Sequence, residues 1–244
     1  MALPQATDVP RTRRCLTALA TVTIVVATLV FAACSSDAGP PPKETRTIDA
    51  GGVTWHAIVR GPSPAKAKRT VLFLHGASYT SKIWDDRKIL DDVAAKGYRA
   101  VAVDLPGAGD TPSSDQPKAD LLAALLAQLG GADQVVVVSP SASGAYSLAL
   151  LADRPKVALG GYVGVAPAGI DGFHRPTDAP RVPALLVWGA NDEVIPFAQA
   201  KVLAAQLPGS HTVRIPDATH AAYDDQPDAF VAVLLRFLAD LPSA

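Results

Sequence analysis

Cysteine is almost missing from this sequence: of 244 residues two are cysteines, Cys15 and Cys34, and the 210 residues after them hold none. A disulfide framework, a thiolate zinc site and a cysteine nucleophile in the body of the protein are thereby excluded. A surplus of either charge is also missing. Lys and Arg number 22 against 23 Asp and Glu, so no basic field exists to hold nucleic acid through its phosphates. There is no internal repeat, and charged residues make up only 18%. Apolar residues reach 49%, enough for a buried core and too many for a largely disordered or fibrous chain. The length suits one domain or at most two.

The first 34 residues have a texture of their own. Arg11, Arg13 and Arg14 form a positive cluster, and the 18 residues from Leu16 to Ala33 follow without a charge. The run ends Val30-Phe31-Ala32-Ala33-Cys34 and gives way to Ser35-Ser36-Asp37-Ala38-Gly39-Pro40-Pro41-Pro42. A positive start, an apolar middle and small residues at the exit describe a secretory signal. Cysteine directly after two alanines resembles the lipobox of bacterial lipoproteins, in which that cysteine is lipidated and becomes the new N-terminus. Phe31 departs from the usual Leu at its position. The alternatives are an ordinary signal or an uncleaved anchor helix, since 18 residues just suffice to cross a bilayer. All versions place the body outside the cytoplasm. The expectation is a signal peptide over 1–33, a membrane anchor on Cys34, a Pro/Ser-rich tether over 34–44 and one domain over 45–244. Without residues 1–33 the chain keeps 19 basic and 22 acidic residues, a net of −3.

From Thr45 the hydrophobic period switches repeatedly. Two short strands, 45–50 and 53–60, flank Gly51-Gly52, a hairpin signal. Buried strands are expected at Thr70–Leu74, Tyr98–Val103, Val135–Val138, Gly161–Val165 and Ala184–Trp188, and a further strand near 211–215. Helices are expected near 81–96, 117–129, 142–153, 196–207 and 226–240. Continuous apolar strands alternating with helices imply an α/β fold, a mostly parallel central sheet flanked by helices on both faces. Ligands of such sheets sit beyond the carboxyl ends of the strands.

At those ends the chemistry collects. The four valines of 135–138 run into Ser139-Pro140-Ser141-Ala142-Ser143-Gly144 and then helical sequence. A strand, a sharp turn and a helix with serine at the apex is a nucleophile elbow, whose neighbours two places away must be small. Here they are Ser139 and Ser143 instead of glycines. Ser141 fits the apex by strand length, and Ser143 is its rival. A serine hydroxyl needs a base. Of five histidines, His220 lies late in the chain after the strand ending at Ile215, as the order Ser, acid, His requires. His56 and His211 fall at the middle or start of strands, and His174 in a loop. Asp192, just past Trp188-Gly189, is the candidate acid that would orient the imidazole, with Glu193 and Asp171 as runners-up. The developing oxyanion needs backbone donors, for which the amides of Ala142 and, after His75-Gly76, of Ala77 are the candidates.

Leu74-His75-Gly76, the run Gly97-Tyr98-Arg99-Ala100-Val101-Ala102-Val103-Asp104-Leu105-Pro106-Gly107 and the Ser-Pro-Ser-x-Ser-Gly elbow resemble the alpha/beta-hydrolase superfamily, and within it the alpha/beta-hydrolase-domain-containing protein 14 family. The resemblance covers about Thr45 to Leu241. It implies the alpha/beta-hydrolase fold, Ser141 as nucleophile, Asp192 as acid, His220 as base, and hydrolysis of small acyl esters. The reading of the residues as a whole is a serine hydrolase of small acyl esters or amides, with no cofactor or metal expected. That family has been linked to acetyl transfer from lysine to coenzyme A. An exported site would not meet coenzyme A, so transfer to water is the expectation. The eighteen residues from Ala166 to Pro183 carry four prolines and two glycines, which reads as a loop in place of a helical lid. Phe173, His174, Trp84 and Tyr79 are candidate wall residues of a shallow pocket.

Overall fold

The computed structural model describes residues 43–242 except Pro155; the apolar leader, Cys34 and nearly all of the tether lie outside the described residues. Strand β1 (Lys43–Ala50) begins two residues before the expected start and turns at Gly51-Gly52 into antiparallel β2 (Val53–Arg60). Both glycines have positive φ, 59° and 70°, as a two-residue connection matched to strand twist requires. Then come β3 (Thr70–Phe73), β4 (Arg99–Val103), β5 (Val135–Pro140), β6 (Gly161–Val165), β7 (Ala184–Gly189) and β8 (His211–Ile215). The eight strands form one sheet in the order β1-β2-β4-β3-β5-β6-β7-β8. Only the first two pairings, β1 with β2 and β2 with β4, are antiparallel.

Alternation along the strands sorts the core into two layers. Val136 and Val138 face Phe73, Trp84, Leu90 and Phe230, while Val135 and Val137 face Leu72, Leu122, Leu125 and Leu203. Helices α1 (Lys82–Asp86), α2 (Ile89–Ala95), α6 (Ala222–Asp225) and α7 (Pro227–Asp240) cover the first face. Helices α3 (Lys118–Gln128), α4 (Gly144–Asp153) and α5 (Ala198–Gln206) cover the second. Both sides of every central strand are therefore dry, which is why the strands read as unbroken apolar runs.

One expected helix is divided. The segment near 81–96 breaks at Lys88, which sits at φ 58°. Trp84 and Ile89 are both wholly buried, yet five residues of one continuous helix would point them about 140° apart. The break lets both reach the sheet. The final expected helix is α7, and a single turn, α6, precedes it, with Gln226 at φ −133° between them. Pro227 stands in the first turn of α7, where its missing N–H is not needed.

Register sets the site. Phe73 lies beside Val138, Pro140 beside Val165, Val165 beside Val187 and Gly189 beside Ile215. The strands finish at one level, and the loops that follow them open on one rim. In the connection from β6 to β7 the only helical element is a 3-10 turn, Ile170–Gly172, so no helical lid covers that rim. No helix among the described residues is long and apolar enough to cross a membrane.

Candidate active site

Ser141 follows β5 directly, at φ 45°, a left-handed conformation that costs a residue with a side chain about 1–3 kcal/mol. A 3-10 turn over Ser141–Ser143 then delivers the chain into α4. The Ser141 carbonyl accepts the Ala168 amide at 2.8 Å, so the loop after β6 clasps the elbow. That approach depends on Gly144, where a Cβ would stand 2.2 Å from the Ala168 oxygen. Ser143, the rival apex, is wholly buried and donates to the Pro140 carbonyl at 2.7 Å. It faces the interior, not the rim.

His220 leaves the loop after β8 with Nε2 2.8 Å from Ser141 Oγ and Nδ1 2.9 Å from Asp192 Oδ2. The other Asp192 oxygen accepts the amides of Val194 and Ile195, both at 2.9 Å. With Oδ1 occupied, Oδ2 accepts a hydrogen bond from the proton on Nδ1, which leaves the Nε2 lone pair toward the serine. The Asp192 side chain is 1% exposed and the His220 side chain 20% exposed: the carboxylate is sealed and the imidazole is open to the rim. The His220 loop crosses β7 at Gly189, where a Cβ would come within 1.9 Å of the Thr219 carbonyl oxygen. The runners-up stand elsewhere. Glu193 is exposed, and Asp171 is exposed and accepts the Gln199 side-chain amide at 2.8 Å. His174 is exposed in its loop, and His211 is exposed at the start of β8, the opposite end from the rim.

The loop after β3 passes close under the nucleophile. A Cβ on Gly76 would lie 3.6 Å from that of Ser141. Among the described residues, outside the bonds internal to helices and strands, the amides of Ala77 and Ala142, the two candidate donors, pair with no backbone carbonyl. His75 shapes this loop. Its Nδ1 binds the Gly76 carbonyl at 2.8 Å, while Nε2 accepts the Leu105 amide at 2.9 Å. Burial pushes its pKa down, against the Gly76 carbonyl and the Asp104 charge, so it is a neutral pin between the loops after β3 and β4. Trp84 and Phe173, expected as possible walls, are instead buried in the core. Trp84 donates Nε1–H to the Leu74 carbonyl at 2.9 Å and stacks on Tyr223 with ring centroids 4.4 Å apart. Tyr79 is half-buried, and its hydroxyl donates to Asp224 at 2.9 Å.

The described residues hold one grouping of metal-ligating types, His56, Asp104 and Asp110. Its buried member is already engaged: Asp104 accepts the Ser81 amide at 2.7 Å and the Asp110 amide at 3.0 Å, with His56 Nδ1 3.0 Å away. Burial opposes the charge on Asp104, but the Asp110 and Ser81 amides and the His56 ring outweigh it and hold its pKa low. The arrangement does the work of a loop brace. Sequence reasoning missed this brace, the His75 pin and the two glycines at close approaches, since each depends on a partner distant along the chain.

Comparison with known proteins agrees with the resemblance. A family model described as the alpha/beta hydrolase family matches residues 71–179, and one described as TAP-like protein matches 168–242. Protein ABHD14A of Danio rerio is 38% identical over 177 residues, 70% of this chain and 64% of that protein, just under two thirds of its length. ABHD14B of Rattus norvegicus, whose name carries the provisional description protein-lysine deacylase, is 37% identical over 209 residues, 80% of this chain and 95% of that one. Among solved structures, a protein of Thermoplasma acidophilum named a predicted CIB-like hydrolase superposes with a TM-score of 0.72 at 26% identity, covering 82% of this chain and all of the other. The esterase RhEst1 of Rhodococcus sp. ECU1013 shares the fold with a TM-score of 0.65 at 19% identity, over 84% of this chain and all of its own.

Proposed function

Because the chain belongs to the alpha/beta-hydrolase superfamily, close to the ABHD14 proteins, we propose that it is a serine hydrolase cleaving small acyl esters or amides. The observation that carries this reading is the unbroken row from Ser141 through His220 to Asp192, at 2.8 and 2.9 Å. Ser141 Oγ attacks the acyl carbonyl as His220 Nε2 takes its proton. Asp192 stabilises the imidazolium. The amides of Ala77 and Ala142 receive the negative oxygen of the tetrahedral intermediate. His220 then returns the proton to the leaving group, and an acyl group remains on Ser141. Water, activated by the same imidazole, releases it. The short connection between β6 and β7 buries few substrate carbons, which favours short acyl groups, and the name of the rat relative favours amides among the candidate bonds.

The full chain, incubated with a fluorophosphonate, takes the label on one serine, and Ser141→Ala takes none. An unlabelled wild type at neutral pH supports a non-catalytic binding role for the fold instead. The leader adds a place. Residues 1–33 are removed on export, and a lipid on Cys34 holds the domain at the outer side of the membrane, through residues 35–42. Cys34→Ala moves the protein from the membrane fraction to a soluble or unprocessed form; unchanged fractionation removes the anchor from this account.

A further inference from the structure

Beneath the elbow runs a row of buried hydroxyls that the chemistry above does not use. Tyr162 on β6, Ser147 on α4, Ser139 on β5 and Ser143 in the 3-10 turn are all 0% exposed. The Tyr162 hydroxyl is 3.4 Å from Ser147 Oγ, which is 2.7 Å from Ser139 Oγ, itself 3.0 Å from Ser143 Oγ. Ser143 Oγ closes the row on the Pro140 carbonyl at 2.7 Å.

Proton counting gives the row a direction. A carbonyl only accepts, so the single proton of Ser143 goes to Pro140. Ser143 is then the acceptor for Ser139, Ser139 for Ser147, and Ser147 for Tyr162. Burial raises the Tyr162 pKa to about 12, with the Ser147 and Ser139 hydroxyls pulling it the other way, and the first donor keeps its proton. All four O–H dipoles point toward the peptide just before Ser141, and aligned hydrogen bonds polarise one another.

We infer that this row is a positioning device for the nucleophile, fixing the Pro140–Ser141 peptide in the orientation that the left-handed backbone of Ser141 needs. The inference rests on the proposed role of Ser141. Glycine usually fills the places two before and two after such a serine, where only small size is required. Size alone does not account for two wholly buried hydroxyls there, because a buried hydroxyl must be hydrogen-bonded or it destabilises the fold. Ser139 and Ser143 convert that requirement into a clamp on the elbow.

The experiment compares full-length wild type with Ser143→Ala, Ser139→Ala and Tyr162→Phe. It measures the second-order rate of fluorophosphonate labelling, kcat and KM on p-nitrophenyl acetate, and the thermal midpoint. Ser143→Ala slows labelling and kcat about tenfold, the rate equivalent of one lost hydrogen bond, with KM unchanged. Ser139→Ala slows them less and Tyr162→Phe least, in the order of distance from Pro140, whatever the order of the thermal midpoints. If the alanine variant does not fold, Ser143→Gly carries the same expectation. A Ser143 variant that labels at the wild-type rate overturns the inference, and so do rates that fall strictly in step with stability. An unlabelled wild type overturns the hydrolase reading together with this one; a labelled wild type beside equally reactive Ser143 variants overturns this one alone.

Discussion

At the scale of a residue, Gly189 decides where His220 stands. Its missing side chain lets the Thr219 and Ala218 carbonyls approach to positions 1.9 and 2.5 Å from where a Cβ would be. Both carbonyls belong to backbone, which cannot swing aside as a flexible side chain would. Gly189→Ala therefore displaces the loop that carries the imidazole, and a displacement near 1 Å costs about 100-fold in rate. Overpacking of this kind lowers stability by about 1–3 kcal/mol. Gly172→Ala is the control: nothing lies within 4 Å of its Cβ position, and both activity and thermal midpoint stay at wild-type values. The contrast shows what was legible beforehand. Ser141, His220 and Asp192 were readable because each follows a strong strand signal in the order that the chemistry demands. Gly189 looked like any strand terminator, since its reason is a carbonyl thirty residues downstream.

At the scale of elements, the loop after β3 and helix α6 are fastened to each other across the site. Tyr79 donates to Asp224 at 2.9 Å, Asp224 also pairs with Arg87, and the Tyr79 and Tyr223 rings meet edge to face at 5.9 Å. The first element carries the Ala77 amide, and α6 begins two residues after His220. This strap sets the distance between the loop that carries the Ala77 amide and the segment that carries His220. Tyr79→Phe and Asp224→Ala each lower kcat about threefold to tenfold, as loss of one hydrogen bond does, and leave KM nearly unchanged. Asp224→Ala removes this bond together with the Arg87 pair, and Tyr79→Phe removes the bond alone, so the double variant is no slower than Asp224→Ala. Additive effects would mean that the two residues act separately. The strap was hidden in the sequence because residues 81–96 read as one helix from their pattern. The kink at Lys88 that brings Arg87 beside Asp224 follows from burial of Trp84 and Ile89 together, a tertiary demand that periodicity does not report.

At the scale of the whole molecule, the loop braces make stability depend on pH in two stages of known sign. His75 has an ordinary pKa of 6.5 and a lower one in the fold, chiefly because it is buried. As pH falls below about 6.5 the unfolded chain binds a proton at this residue that the folded one refuses, so stability declines until the folded value is reached. Asp104 and Asp85 act lower on the scale. Burial works against the charge of each; for Asp104 the Asp110 and Ser81 amides outweigh it, and for Asp85 the Lys43 and Arg60 side chains do. Their folded pKa values lie below the ordinary 3.8, so the stability they add is intact above that pH and is lost as pH drops through the folded values. Asp92 runs the other way. Burial first, then the charges of Asp228 and Asp91, raise its pKa, and protonating it relieves a small strain as pH approaches 4. Calorimetry on wild type and His75→Gln from pH 8 to pH 3 separates the stages. The variant starts lower at neutral pH, because its two backbone partners lose their pin. As pH falls below 6.5 its curve is flatter than that of wild type, by up to about 1.4 kcal/mol of stability per pH unit, and below pH 3.8 both curves also fall with the two aspartates. Parallel curves through pH 6 would mean that His75 takes its proton as readily in the fold as out of it, and that the loops after β3 and β4 are held by something other than a neutral imidazole.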